Sequence, residues 1–246
     1  PGVSSARLEA GARPSYDGQK TGIVINFQYF YGFLEMTLHG VMDHRSGGRR
    51  MPAVKRPDDE ADRLAALLDL GILGTDHTVE FDIFPSLAKN LLSTPMAAVS
   101  LVDGERQWFK ASAGLPVRET PRDSSFCAHA ILAPSETLYV PDAAQDPRFA
   151  DSPLVTGGMG IRFYAGAPII GPGGHALGAL CVLDSKPREV DPHLLEQLRH
   201  LAVGVGSALK LHASVNKLAE LASTDALTGL PNRAAFDMQI RAALAR

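Results

Sequence analysis

The chain has 246 residues, a formal net charge of −3, 45% hydrophobic residues and 21% charged residues. This composition is typical of a soluble globular chain with one large domain, or one medium domain and extensions. The charge provides no basic footprint for nucleic acid, and residues 22–42 carry too many polar side chains for a membrane span. Two cysteines are too few for a disulfide framework, so we expect a cytoplasmic protein. The charge and the polar residues together predict neither a nucleic-acid nor a membrane partner.

The first 50 residues differ in character from the rest of the chain. They are rich in glycine, aromatic residues and arginine, and their apolar residues follow no clear period. A regular pattern begins only at Met51. Our hypothesis is that residues 1–50 are an unstructured or non-native extension and that Met51 is the natural start.

Apolar residues at three- and four-residue spacing predict two helices before the first strand. The first stripe consists of Ala61, Leu64, Leu67 and Leu68. The second consists of Phe81, Phe84, Leu87, Ala88, Leu91 and Leu92. Pro85 interrupts the second stripe, so we expect that helix to start near Phe84 or to kink.

A β-hairpin is predicted next. Met96–Val102 is short, apolar and partly β-branched, and Asp103-Gly104 is a strong turn signal. Arg106–Ala111 is the returning strand, with Trp108 on one face and Gln107 on the other.

The next elements complete the expected sheet. A short helix over residues 126–131 is predicted to be capped by Ser124 or Ser125. Residues 142–155 read as a loop with a short helix. Three further strands are predicted, at Leu138–Val140, Phe163–Ile170 and Ala176–Leu183. The order of elements predicts an α+β domain in which an antiparallel sheet is flanked by helices.

A long helix is predicted over residues 191–223, as a signalling or linker helix that overlaps the end of the domain. Its apolar positions follow a heptad with one polar member: Leu194, Leu198, Leu201, Val205, Ala208, His212, Val215, Ala219 and Ala222. We interpret the first half as packing on its own domain. From Leu209 onward no predicted sheet is left to cover it, so we expect a parallel homodimer seam there.

Eight segments occur in an order that resembles bacterial GAF domains. They are Ser100–Asp103, Arg106–Lys110, Arg118–Arg122, Ser125–Ile131, Val140–Ala143, Asp146–Phe149, Gly160–Pro168 and Leu177–Asp184. The resemblance implies a GAF sensor domain over residues 51–212. It also implies an unknown small-molecule ligand held between the sheet and the segments on one face.

Residues 224–233, Thr-Asp-Ala-Leu-Thr-Gly-Leu-Pro-Asn-Arg, resemble the opening of GGDEF domains, so residues 224–246 are interpreted as a truncated GGDEF start. The resemblance implies an intact protein that makes cyclic di-GMP from two GTP, a diguanylate cyclase using Mg²⁺. The family's metal-binding carboxylates and hairpin follow this segment, so no catalytic residue and no cofactor is assigned to the chain itself. The alternatives are the sensor of a GGDEF–EAL phosphodiesterase or a non-enzymatic GAF scaffold.

The candidate ligand-binding residues follow from the GAF resemblance. They are Phe126, Cys127, His129, Asp142, Asp146, Arg148, Phe149, Phe163 and Tyr164. An arginine and two carboxylates could fix a polar ligand. The alternative is that Asp146 and Arg148 pair with each other and only hold the loop shut.

Other GAF chemistries fit the sequence less well. Cys127 and His129 alone are too few for a structural zinc site, so no metal is expected. A bilin would require an attachment cysteine that residues 150–165 lack, and a lone His129 is more typical of a core histidine than of a haem ligand. Sulfoxide reductases of the GAF family use several redox cysteines, whereas this chain has Cys127 and Cys181.

Overall fold

The computed structural model describes residues 54–223, together with Asn232 and Phe236. The extension predicted at residues 1–50 and most of the GGDEF-like segment lie outside the described residues. The α-helices of the described part are α1 (Glu60–Asp69), α2 (Val79–Leu91), α3 (Phe126–Ala130), α4 (Pro153–Thr156) and α5 (Pro192–Ser223). Its strands are β1 (Met96–Val102), β2 (Arg106–Ala113), β3 (Glu119–Pro121), β4 (Leu138–Val140), β5 (Phe163–Ile170) and β6 (Ala176–Asp184).

The strands form one antiparallel sheet in the order β3-β2-β1-β6-β5-β4. The predicted α+β class is therefore confirmed. The central pair, β1 and β6, approach closely at Gly178, where a Cβ atom would lie 1.9 Å from the Ser100 carbonyl oxygen. Only glycine fits this position without moving a strand.

The two faces of the sheet bury different cores. The helical face is covered by α1, α2 and α5, and its core includes Leu67, Phe81, Trp108, Phe163 and Val205. The loop face is covered by α3, α4 and the connecting segments, and its core includes Phe109, Phe126, Phe149, Ile161 and Tyr164. The alternation predicted for the second strand is confirmed, because Trp108 lies on the helical face and Gln107 on the loop face.

Helix α2 begins at Val79 and continues through Pro85. Of the two alternatives, the start near Phe84 is therefore wrong, and a kink at Pro85 stays a prediction. Lys110 of β2 is buried beside this helix, with its ammonium 5.4 Å from the centre of the Phe81 ring. Its Nζ donates to the hydroxyl of Thr75 at 2.9 Å and to the carbonyl oxygen of Asp76 at 2.5 Å, which fixes the α1–α2 connection to the sheet.

Helix α5 has two halves with different surroundings. Leu198, Ala202, Val205 and Leu209 are fully buried on the helical face, which confirms that the first half packs on its own domain. Further along, four apolar residues are each more than half exposed: Leu211, Val215, Leu218 and Leu221. Among residues 54–223, no helix is long and apolar enough to cross a membrane.

The structure covers one member of the predicted seam, His212, and leaves a later member, Val215, exposed. The His212 ring packs edge to face on Phe81 of α2, with ring centroids 6.4 Å apart. Asn216, one turn later, lies 3.4 Å from the carbonyl oxygen of Leu70. Contact with the domain therefore continues along α5 to His212, while Leu211, Val215 and Leu218 form an exposed apolar stripe.

A buried ion cluster joins α1 to the β1–β2 hairpin. The Glu60 carboxylate accepts from Arg63 at 2.8 and 3.0 Å and from Arg122 at 2.5 Å. Both arginine side chains are nearly inaccessible, and they also donate to the carbonyl oxygens of Val102 and Asp103. Burial raises the pKa of Glu60, but the two arginines outweigh it and bring the pKa from 4.5 to about 2.

We expect Glu60→Gln to lower the free energy of unfolding at pH 7 by about 3 kcal/mol. The folded pKa of Glu60 is depressed, so its contribution is present above pH 4.5 and is lost as the pH falls towards 2. Denaturant unfolding at several pH values measures both effects. The variant should lose much of the wild-type decline in stability between these pH values.

Asp62→Asn is the matched control, since Asp62 is an exposed carboxylate in the first turn of the same helix. It should cost less than about 1 kcal/mol, the usual value of a carboxylate at a helix N-terminus. Equal losses in the two variants would show that the cluster does not stabilise the fold beyond a surface charge.

Candidate functional site

Three aromatic rings stack on the loop face. Phe126 of α3 lies between Phe149 and Tyr164, with ring centroids 4.2 and 4.9 Å away. All three side chains are buried. Tyr164 fits over its own strand because Gly166 has no side chain there: a Cβ atom at Gly166 would lie 2.0 Å from the Tyr164 hydroxyl oxygen. This aromatic stack occupies the space between sheet and loops in which a ligand is expected.

A cavity of about 20 Å³ lies beside the aromatic stack. Its lining includes Gln107, Thr120, Phe126, Cys127, Leu154, Met159, Ile161, Tyr164 and Cys181. A volume of this size holds about one water molecule. The cavity is therefore too small for a larger ligand unless the aromatic rings move.

Neutral polar groups line one side of the cavity. The Ser125 hydroxyl donates to the side-chain oxygen of Gln107, whose amide nitrogen lies 3.4 Å from the Thr120 hydroxyl. Ser125 also accepts from the Ala128 amide at 3.1 Å, which confirms it as the cap of α3. The sequence reasoning missed Gln107 and Thr120 as site residues. In β2, Gln107 and Trp108 point to opposite faces of the sheet. This alternation is the signal that could have identified Gln107.

The charged candidates are paired with other protein groups. Arg148 donates to Asp146 at 2.9 and 2.6 Å, and Arg162 donates to Asp142 at 2.7 Å through each of two nitrogens. The hydrogen bonds from Arg148 hold the pKa of Asp146 below its ordinary value, and those from Arg162 do the same for Asp142. Asp146 and Arg148 thus pair with each other, and their contact with a ligand stays a prediction. Arg162 was missed as the partner of Asp142.

His129 contacts the aromatic stack from its outer side. Its Nδ1 lies 3.2 Å from the Ser125 carbonyl oxygen, and its ring meets Phe149 edge to face with centroids 4.7 Å apart. Burial lowers the pKa of His129 below its ordinary value, so the imidazole is neutral at pH 7. A neutral ring hydrogen-bonded to its own helix acts as a core histidine. Among the described residues, no three metal-ligating side chains come together.

Phe163 does not belong to this site. Adjacent residues of a strand point to opposite faces, so Phe163 lies on the helical face while Tyr164 lies on the loop face. The Phe163 ring meets Tyr139 with centroids 6.3 Å apart. The prediction that both residues line one pocket is wrong. Cys127, in contrast, lines the cavity, and its sulfur lies 3.2 Å from the Tyr164 hydroxyl.

The fold defines an α+β domain with helices on one face of the sheet and a small enclosed site on the other. Residues 60–209 match the GAF domain family. The match extends over more than half of the chain, so the chain belongs to the GAF family, as its sequence predicts.

Two comparisons with solved GAF domains give low identities. The blue-light absorbing form of the Thermosynechococcus elongatus PixJ GAF domain is 18% identical, with TM-score 0.48, covering 65% of this chain and 96% of that one. The GAF domain of an Acinetobacter phosphoenolpyruvate-protein phosphotransferase is 15% identical, with TM-score 0.46, covering 64% of this chain and 96% of that one.

A curated relative is more similar in sequence. Cyclic di-GMP phosphodiesterase PA2567 of Pseudomonas aeruginosa is 41% identical over 181 residues, which are 72% of this chain and 29% of that protein. The chain thus spans less than a third of the length of that relative.

We expect Phe149→Ala to destabilise the domain by about 3–5 kcal/mol, because it removes a buried ring and leaves a space beside Phe126. The same change should speed labelling of Cys127 by a small thiol reagent, since it loosens the cover of the cavity. Denaturant unfolding and mass-spectrometric labelling rates measure the two effects.

Phe163→Ala is the matched control, because it removes an equally buried phenylalanine from the opposite face. It should destabilise by a similar amount and accelerate labelling less than Phe149→Ala. If both variants accelerate the labelling of Cys127 equally, labelling follows global unfolding and the aromatic stack does not limit access to the cavity.

Proposed function

We propose that the chain is the sensory module of a cyclic di-GMP signalling protein and that α5 transmits its state. The two-part burial of α5 carries this proposal, because one helix packs on the sheet with its first half and extends beyond it with its second. Asn232 of the GGDEF-like decapeptide donates to the carbonyl oxygens of Ser223 and Ala222 at 2.8 and 2.6 Å. A displacement of the end of α5 would therefore be transmitted to Asn232.

The ligand site in this proposal is the aromatic stack with its cavity. Separating the rings would create an apolar pocket with a few convergent neutral groups, which is the usual composition of a small-molecule site. A ligand shifts the protein towards this open state only if it binds that state more tightly than the closed one.

The relative's name favours hydrolysis of cyclic di-GMP as the output of the intact protein. The decapeptide at residues 224–233 favours a diguanylate cyclase, which joins two GTP. The two activities are distinguished by assaying the intact protein for loss of cyclic di-GMP and for its formation from GTP. We rank hydrolysis first, since it is supported by 41% identity over 181 residues.

We expect Phe149→Ala in the intact protein to change the rate of cyclic di-GMP turnover several-fold, while Phe163→Ala changes it less. The reason is that the first variant alters the aromatic stack and the second alters the opposite face. Steady-state nucleotide assays measure the rates. Absence of turnover in either direction, or an equal response to both variants, would contradict the sensory role.

The exposed stripe of α5 supports a homodimer as part of this function. Leu211, Val215 and Leu218 follow spacings of four and three residues, as in a two-stranded coiled coil. A parallel pair of α5 helices would bury them in both protomers. Each leucine so buried contributes about 1.5–3 kcal/mol.

We expect Leu218→Gln to weaken this dimer at least roughly tenfold, because it removes an apolar contact from both protomers. Sedimentation equilibrium measures the dissociation constant. Lys210→Gln is the control, since Lys210 is exposed on the same helix outside the stripe. A monomeric wild type, or equal weakening by the two changes, would contradict the seam.

A second candidate function is a ligand-free dimerisation scaffold, and the closed cavity favours it. Under that alternative, Leu218→Gln changes the turnover of cyclic di-GMP in the intact protein and Phe149→Ala does not. The same two variants therefore distinguish the sensor from the scaffold.

A further inference from the structure

The two cysteines of the chain meet in the core of the loop face. Cys127 lies on α3 and Cys181 on β6, and their sulfur atoms are 3.8 Å apart. Both side chains are buried. A disulfide bond is about 2.05 Å long, so the two sulfurs would have to approach by roughly 2 Å. Movement of the short helix α3 towards the sheet would provide this approach.

Both cysteines line the mostly apolar cavity beside the aromatic stack. Cys127, Cys181 and Tyr164 line it together with Gln107 and Thr120. Its volume of about 20 Å³ admits a molecule of the size of water. Hydrogen peroxide, with two oxygen atoms, is larger than water, so its entry requires a small displacement of the aromatic rings. It is uncharged, and its two hydroxyl groups can exchange hydrogen bonds with the amide of Gln107 and the hydroxyl of Thr120.

The surroundings make the two sulfurs chemically different. The Tyr164 hydroxyl donates to the Cys127 sulfur at 3.2 Å, whereas the Cys181 sulfur lies 3.6 Å from the carbonyl oxygen of Ala98. Burial raises the pKa of Cys127, but hydrogen-bonding neighbours, among them the Cys181 and Tyr164 side chains, lower it more. The contact with Cys127 and burial raise the pKa of Cys181. The Tyr164 hydroxyl would stabilise a thiolate at Cys127, whereas the thiol of Cys181 faces a carbonyl oxygen that favours its protonated form. Because the thiolate is the reactive form, we assign Cys127 as the nucleophile of the pair.

From this geometry we infer that Cys127 and Cys181 form a dithiol site that reacts with small hydroperoxides. The Cys127 sulfur, having lost its proton, attacks one peroxide oxygen and the O–O bond breaks. The leaving hydroxide takes up a proton and departs as water. Cys181 then attacks the sulfenic acid of Cys127, forming a disulfide and releasing a second water. Two thiols are oxidised and one peroxide is reduced to two waters.

This site does not depend on the identity of the GAF ligand or of the output domain. The disulfide would join α3 covalently to β6. It would thereby fix Phe126, which neighbours Cys127 in α3, in the closed aromatic stack.

The test treats the purified full chain with hydrogen peroxide and follows its intact mass. The expected product has lost two hydrogen atoms, yields a crosslinked Cys127–Cys181 peptide and reverts on addition of a dithiol reductant. Two free thiols after treatment, or a disulfide only between two chains, would overturn the inference. This result stands on the wild-type protein alone, so it holds even if a cysteine variant does not fold.

Single serine variants test the roles of the two sulfurs. Cys181→Ser should accumulate a Cys127 sulfenic acid, which dimedone traps, and Cys127→Ser should give little adduct. A strong adduct on Cys181 in the second variant would overturn the assignment of the nucleophile. Circular dichroism confirms that both variants are folded before labelling.

Tyr164→Phe tests the hydrogen bond to Cys127, with Tyr139→Phe as the control on the helical face. We expect the first variant to oxidise about tenfold more slowly at neutral pH and its rate profile to move to higher pH, because the thiolate fraction falls. Tyr139→Phe should behave as wild type. Equal rates in all three proteins would overturn the positioning role of Tyr164.

Discussion

Both faces of the six-stranded sheet are covered, so each strand sends alternate side chains into two separate cores. Three helices, α1, α2 and α5, pack on the helical face. The loop face is covered by two short helices and connecting segments, and it contains the cavity. Short elements are held by fewer contacts than long ones, so the loop face is the side that can rearrange at the lower free-energy cost.

Strand β5 links the two cores physically. Tyr164 stands in the aromatic stack, while Phe163 and Ala165, its neighbours in the chain, pack beneath the helices. At the far end of the strand α5 approaches closely: a Cβ atom at Gly206 would lie 2.5 Å from the Ile170 carbonyl oxygen. Because no side chain separates helix and strand at Gly206, a shift of β5 that accompanies opening of the aromatic stack would displace the α5 backbone directly.

Local sequence patterns predicted the helices and strands, but they did not predict contacts between residues that are distant in the sequence. The alternation of β2 and the burial of the first half of α5 followed from periodicity. The contact of His212 with its own domain did not, because residues 211 and 212 belong to equally regular apolar patterns and only the position of Phe81 decides which of them is covered. The Glu60–Arg122 contact joins residues 62 positions apart, and no local pattern indicates it.

The distribution of charge limits what the site can accept. Asp142 and Asp146 are each engaged by an arginine in its own loop region, outside the cavity. No arginine, lysine, aspartate or glutamate lines the cavity, so a charged ligand would lose its hydration without gaining a fixed opposite charge from such a side chain, which is costly in a buried site. Gln107 and Thr120 can still satisfy an uncharged polar group. Selection would therefore rest on shape, aromatic contact and a few neutral hydrogen bonds, and the arginine–carboxylate pairs would serve to hold the loops that enclose the site.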